Sequence, residues 1–294
     1  MEISSANKDE PATMTDTPDS HTHADNGIQA LSLLVETNQK IHQRTLDFTQ
    51  MLAMHLHYYL PGTRTSHLKD VSDWINSTEY QAHKKGDIKY YQNKSGNTIY
   101  WVAGDAGTGK SIMSAKLIEI HYNQSLVGWH FCDHSNPLQN SSIAIMESVS
   151  GIMASKLPEY KTAILDLDQK KLEEAKTKGD SMEFFSLLFI KPMNSMAPPK
   201  DKEGNICRKL IVIDAIDEMD HEDLVDFLRT IRDGASELPP WVGLFMTSRR
   251  YDIILKYLSA KASTTIMVDL LFGHGTQMCL LVCHIKLIFS LEHG

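Results

Sequence analysis

Cysteine is scarce in this chain of 294 residues: there are four, Cys132, Cys207, Cys279 and Cys283, at irregular spacings. So thin a set fits a reducing compartment better than a disulfide framework. Long apolar runs are missing too. The longest, Met278 to Phe289 within GHGTQMCLLVCHIKLIFSLEHG, carries His284 and Lys286 and falls short of the roughly 20 residues a spanning helix needs. The N-terminal stretch MEISSANKDEPATMTDTPDS has no apolar core of the kind a secretory signal requires. The N-x-S/T sequons at Asn76, Asn93, Asn123 and Asn140 then have no chemical meaning. Excess positive charge is absent as well: the net charge is −8, with Lys and Arg scattered rather than striped. A nucleic-acid partner is therefore not expected. Together these absences lead to a cytoplasmic, globular protein with no membrane span.

What is present is enough apolar residue, 42%, to bury a sizeable core. Residues 1–26, rich in Ser, Thr, Asp and Pro, are expected to be a disordered tail. From 27 to 60, Ile28, Leu31, Leu34, Ile41, Leu46, Phe48, Met51 and Leu52 recur at roughly helical spacing until Pro61-Gly62 stops them. This N-terminal helical segment reads as a packing arm or partner-binding helix. His55 and His57 lie two apart, so a helix turns them to different sides, and a shared metal is not expected. A helix is predicted from Ser66 to about Ile75, then a polar connector to residue 97.

Beyond it, short apolar runs alternate with helical stretches. The runs Thr98–Ala103, Leu126–Cys132, Lys209–Asp214, Trp241–Thr247 and Thr264–Leu270 predict five strands of a parallel α/β sheet. The segment 161–208 is longer than a simple crossover needs. It reads as a charged helix (DLDQKKLEEAKTKG), a second helix (MEFFSLLFI) and an exposed loop (MAPPKDKEGN).

The stretch YWVAGDAGTGKS carries the chemistry. Gly104 to Ser111 fits G-x-x-x-x-G-K-[ST], and it sits where the pattern must, after an apolar strand and before a helix. Gly104, Gly107 and Gly109 permit turns that aim backbone N–H groups, with the helix's positive end, at a phosphate. Ala106 and Thr108 complete the cradle, Lys110 reaches the outer phosphates, and Ser111 offers a hydroxyl to Mg²⁺. A metal-side acid follows in KLIVIDAIDEMD, where an apolar strand ends in Asp214 with Asp217 and Glu218 behind it. Asp214 is placed to hold the metal shell, and Asp217 or Glu218 to polarise an attacking water. The fourth run ends in Thr247, Ser248, Arg249 and Arg250. Arg249 reads either as a fork for phosphate charge or as a solvated strand end, and Arg250 as the latter.

These pieces, in this order, resemble the NACHT family of the signal-transduction NTPases with numerous domains (STAND), in particular its nephrocystin-like members. The resemblance rests on GTR at Gly62–Arg64 with its helix ending in Trp74, YWVAGDAGTGKS, GWHFCDHSNP, FFSLLFIKPM, IVIDAIDE and FMTSRR, over about residues 60 to 270. It implies a three-layer P-loop NTPase fold, a five-stranded parallel sheet of order 5-1-4-3-2 flanked by helices, with the domain at 61–271. It implies ATP and ADP as cofactors with Mg²⁺, slow hydrolysis, and a switch whose oligomeric state or protein partners follow the bound nucleotide. Carried over, Lys110 and Ser111 serve phosphate and metal, Asp214 the metal, Glu218 water activation and Arg249 phosphate sensing. Arg64 would lie near the base or ribose. His130, Cys132 and His134 of HFCDH alternate along a strand and are read as packing residues rather than metal ligands. After the fifth strand the family continues into helical and winged-helix modules, so 272–294 is read as an atypical segment of a C-terminally truncated member. Two other readings stay open: a constitutive ATPase or kinase, for which no acceptor pocket or lid motif is readable, and a non-cycling interaction fragment.

Overall fold

Side-chain alternation divides the core of this protein in two. Along β1, Ile99–Gly104, the side chains of Ile99, Trp101 and Ala103 join one hydrophobic cluster and those of Tyr100 and Val102 another, as the two-residue period of a strand requires. β2 (Leu126–Phe131), β3 (Lys209–Asp214), β4 (Val242–Ser248) and β5 (Thr265–Leu270) do the same. A sheet buried on both faces needs a layer on each, and it has them. The computed structural model describes residues 46–76, 98–259 and 265–270. The expected tail at 1–26, the first part of the helical segment at 27–45, the connector at 77–97 and the C-terminal segment at 272–294, with Cys279 and Cys283, lie outside the described residues.

All recorded strand pairings are parallel, and the order is β2-β3-β4-β1-β5. Read from the other edge this is the expected 5-1-4-3-2, and with flanking helices it is a three-layer P-loop NTPase fold. The first layer holds α1 (Thr49–His57), α2 (Thr65–Asn76) and α3 (Lys110–His121). Buried Leu68, Val71, Trp74 and Ile75 form the inward stripe of α2. Trp74 lies so close over Gly243 that a Cβ there would meet its Cη2 at 2.7 Å; glycine lets the helix settle on β4. Arg208 clamps the same helix end, donating to the Trp74 carbonyl at 3.0 Å with its guanidinium 4.9 Å from the indole. Ahead of α1, buried Phe48 packs its ring 5.1 Å from His130 and 5.6 Å from Phe131, so residues 48–57 share this cluster with α3.

The opposite layer contains α4 (Ser142–Lys156), α5 (Pro158–Leu165), α6 (Gln169–Lys178), α7 (Ser181–Phe185), α8 (Lys191–Ser195), α9 (His221–Gly234) and α10 (Asp252–Ser259). Asp168 caps α6 by accepting from Lys170 and Lys171, and Gly179 ends it at φ 65°. The stretch MEFFSLLFI is not one regular helix. α7 runs into a π-helical turn, Ser186–Ile190, before α8. The Tyr160 hydroxyl donates to the Leu188 carbonyl within that turn at 2.7 Å, so a neighbouring helix supplies a donor where the regular ladder is broken. In the following loop an antiparallel bridge joins Lys200 and Ile206. Among the described residues no helix is long and apolar enough to cross a membrane.

Because the strands are parallel, their carboxyl ends lie along one edge of the sheet. The loops leaving β1 and β4 are neighbours there, and that of β3 is next beyond β4. The chain turns from β1 toward β2 but returns to place β5 on the other side of β1, which makes β1 the switch point where such sheets bind ligands.

Candidate functional site

The loop after β1 is shaped by its backbone. Gly107 and Gly109 have φ of 77° and 82°, left-handed conformations that cost an L-residue energy. Gly104 is needed for a different reason: a Cβ there would meet the Leu270 carbonyl oxygen at 2.8 Å and Thr108 Oγ1 at 2.9 Å. The Thr108 hydroxyl closes the turn by donating to the Asp105 carbonyl at 2.9 Å. Met113 N–H donates to the Gly109 carbonyl at 3.0 Å, the first hydrogen bond of α3. The N–H groups of Lys110, Ser111 and Ile112 therefore have no helical acceptor, and the glycine N-cap has no side chain to engage them. The positive end of the helix dipole adds to these donors.

Lys110 folds back over the loop, its Nζ donating to the carbonyls of Gly104 and Asp105 at 2.7 and 2.9 Å. Burial pushes its ammonium below the ordinary lysine range. The charges of Asp217 and Asp214 oppose that shift, and Arg249 reinforces it. Side chains from the ends of β3 and β4 thus act on the cradle lysine. Ser111 is half-buried and Ala106 exposed.

The end of β3 is built from side chains. Asp214 is 2% exposed, and its Oδ1 accepts from the Ser114 hydroxyl of α3 and, at 2.7 Å, from the Thr247 hydroxyl of β4. Thr247 Oγ1 also accepts from Ala215 N–H at 2.9 Å. Ala215 has φ 57°, a conformation that costs a non-glycine residue about 1–3 kcal/mol. It turns the chain sharply into the 3-10 turn Ile216–Glu218.

Asp217 and Glu218, adjacent in sequence, have different partners. The Asp217 side chain is 3% exposed; it accepts from Arg249 N–H at 2.9 Å and lies 3.2 Å from Arg249 Nε. The Glu218 side chain is 36% exposed, and its carboxylate lies 3.8 Å from His134 Nδ1. Burial raises its carboxyl above the usual glutamate range, the Asp217 charge adds to this, and His134 opposes it.

Arg64, at the turn before α2, has φ 58° and donates through Nη2 to the Thr108 carbonyl. It grips the phosphate loop itself. Arg250, expected as a solvated strand end, pairs with Asp269 of β5. In HFCDH, His130 and Cys132 are buried. Burial drives the His130 imidazole down to about 4 and pushes the Cys132 thiol up. His130 Nε2 lies 3.1 Å from the Gln139 carbonyl. Neither residue groups with His134, whose ring nitrogen instead lies with carboxylate oxygens of Asp133 and Glu218, all within 4.8 Å of one another. Sequence reasoning missed Ser114. Its signal was position: three residues after Ser111 in a helix, it shares that residue's face.

Comparison with known proteins bears on residues 71–249, which match the family model described as "Nephrocystin 3, N-terminal". Among solved structures, Cdc6p from Pyrobaculum aerophilum aligns at 15% identity with a TM-score of 0.39, covering 76% of this chain and 49% of that one. EccC from Thermomonospora curvata (ATPases 2 and 3, in complex with a signal sequence peptide) aligns at 15% identity and a TM-score of 0.27, covering 61% and 31%. The chain thus spans about half and about a third of those two chains. A search of curated proteins found no match.

Proposed function

The chain belongs to the nephrocystin 3 N-terminal family, and from that premise we propose that it is a nucleotide-binding P-loop NTPase acting as a NACHT/STAND-type switch. In this reading residues 61–271 form the NTPase domain, hydrolysis is slow, and the choice between ATP and ADP governs self-association or protein partners. One observation carries the proposal. The loop with its left-handed glycines and the buried acid at the end of β3 are joined by the Ser114–Asp214 hydrogen bond across one edge of the sheet.

The residues fit a nucleotide's phosphates with Mg²⁺. Free N–H groups at the start of α3 and the Lys110 ammonium suit phosphate oxygens, and the Ser111 hydroxyl with Asp214 forms a hard oxygen donor set suited to Mg²⁺. When bound, the ion supplies neutralisation of phosphate charge. Ser114 and Thr247 orient the Asp214 carboxylate. Glu218, whose carboxyl is raised and partly open to water, is assigned to orient the attacking water and accept its proton. Arg249 is assigned to phosphate charge, and Arg64 to the shape of the loop beside the nucleotide.

Calorimetry with Mg·ATP and Mg·ADP tests this reading. The wild type is expected to bind both, with Lys110→Ala weakening ATP by roughly 100-fold through lost charge-assisted hydrogen bonds. Turnover should be slow and should fall further in Glu218→Gln. A wild-type chain that binds neither nucleotide sinks the proposal, and identical size in ATP and ADP sinks the switch.

A further inference from the structure

Arg249 is held at two points by one carboxylate. Asp217 Oδ1 accepts from its main-chain N–H at 2.9 Å, and Oδ2 lies 3.2 Å from Nε. Main chain and guanidinium are therefore both referred to the turn after β3. The Asp217 side chain is 3% exposed and that of Arg249 46%. The acid is embedded, while the arginine extends from it toward solvent. A guanidinium has five N–H donors in a planar fork. Asp217 pairs with the guanidinium at Nε, the inner end of that fork, so Nη1 and Nη2 at its outer end are the donors a second acceptor would meet.

We propose that Asp217 is a positioning residue: it fixes Arg249 so that the guanidinium's outer edge meets the terminal phosphate, and so sets the preference for triphosphate over diphosphate. The proposal rests on the nucleotide reading above and deepens it. Asp217 thereby takes a different role from its neighbour Glu218, whose carboxylate lies 3.8 Å from His134 Nδ1 and, among the described residues, accepts from no backbone N–H. A rigidly held arginine spends less side-chain entropy on binding than a free one. Loss of its anchor should then weaken binding of the ligand that carries the extra phosphate and leave the other alone.

The test measures Mg·ATP and Mg·ADP affinity by calorimetry for wild type, Asp217→Asn, Arg249→Gln and the double variant, with thermal melting of each. Asp217→Asn is expected to lower ATP affinity about tenfold, the scale of one charge-assisted hydrogen bond, with ADP affinity changed less than twofold. Arg249→Gln should match it, and the double variant should be no worse than Arg249→Gln alone, since both changes remove one interaction. Equal loss of ATP and ADP binding, or additive losses in the double variant, overturns the inference. If Asp217→Asn does not fold, Arg249→Lys decides. It keeps the charge and the main-chain N–H but loses Nε and the fork, and retention of the full ATP preference overturns the proposal. A wild type that binds ADP and ATP equally also overturns it, whereas a wild type that binds neither defeats the functional reading itself.

Discussion

The two halves of the candidate site are made differently. The half after β1 is a backbone structure: positive φ at Gly107 and Gly109, a tight approach at Gly104 and unpaired N–H groups at the head of α3. The half after β3 and β4 is a side-chain structure, in which Asp214 joins Ser114 to Thr247 and Asp217 joins the β3 turn to Arg249. A backbone cradle depends on few side chains, so outside its glycines a substitution removes little of it. A buried side-chain network has no such tolerance, because each missing partner strands another polar group without water.

The largest effect expected from that contrast is on stability at the network's centre. Asp214→Ala strands the hydroxyls of Ser114 and Thr247 in a buried setting, at about 1–3 kcal/mol each. Chemical denaturation should show a loss of roughly 4 kcal/mol. A loss under 1 kcal/mol would mean that the network is slack, and the contrast between the halves would collapse.

A second effect tests the floor beneath that network. His130 on β2 pairs in register with Ile213, the residue before Asp214, and its imidazole is held down to about 4 by burial. An unfolded histidine protonates below about 6.5, so between these values the unfolded chain binds the proton and the folded chain does not. Stability is therefore complete above pH 6.5 and falls as the pH drops toward 4, by about 3 kcal/mol for this group. His55, His67 and His121, also lowered chiefly by burial, act in the same direction. Denaturation midpoints across pH 4 to 7 should show this slope, with His130→Leu removing its largest single part. An unchanged slope in that variant would mean that His130 is not buried neutral.

The same contrast explains what could be read from the residues alone. Glycines at fixed spacing before Lys110-Ser111 announce a backbone shape, and five short apolar runs announce a parallel sheet; both need only local sequence. Expected strand bounds lie within one residue of those observed, Thr98–Ala103 against Ile99–Gly104 for instance. Asp217 and Glu218 could not be told apart, because their difference lies in partners 32 and 84 residues away, Arg249 and His134. The pairing of Arg250 with Asp269 and the grip of Arg64 on Thr108 were hidden for the same reason. The π-helical turn in MEFFSLLFI was also illegible, since its break is answered by Tyr160 from another helix.

The smallest effect belongs to the backbone half. Gly109 caps α3 at φ 82°, and a Cβ built there meets nothing within 4 Å. Gly109→Ala therefore carries no steric clash and only the left-handed penalty, about 1 kcal/mol. Gly104→Ala cannot isolate this cost, because its Cβ runs into the Leu270 carbonyl at 2.8 Å. Denaturation of Gly109→Ala beside Asp214→Ala should give a severalfold smaller loss for the glycine. Equal losses would mean that the loop, too, is knit into the buried network, and that its shape is imposed by packing rather than by glycine's own freedom.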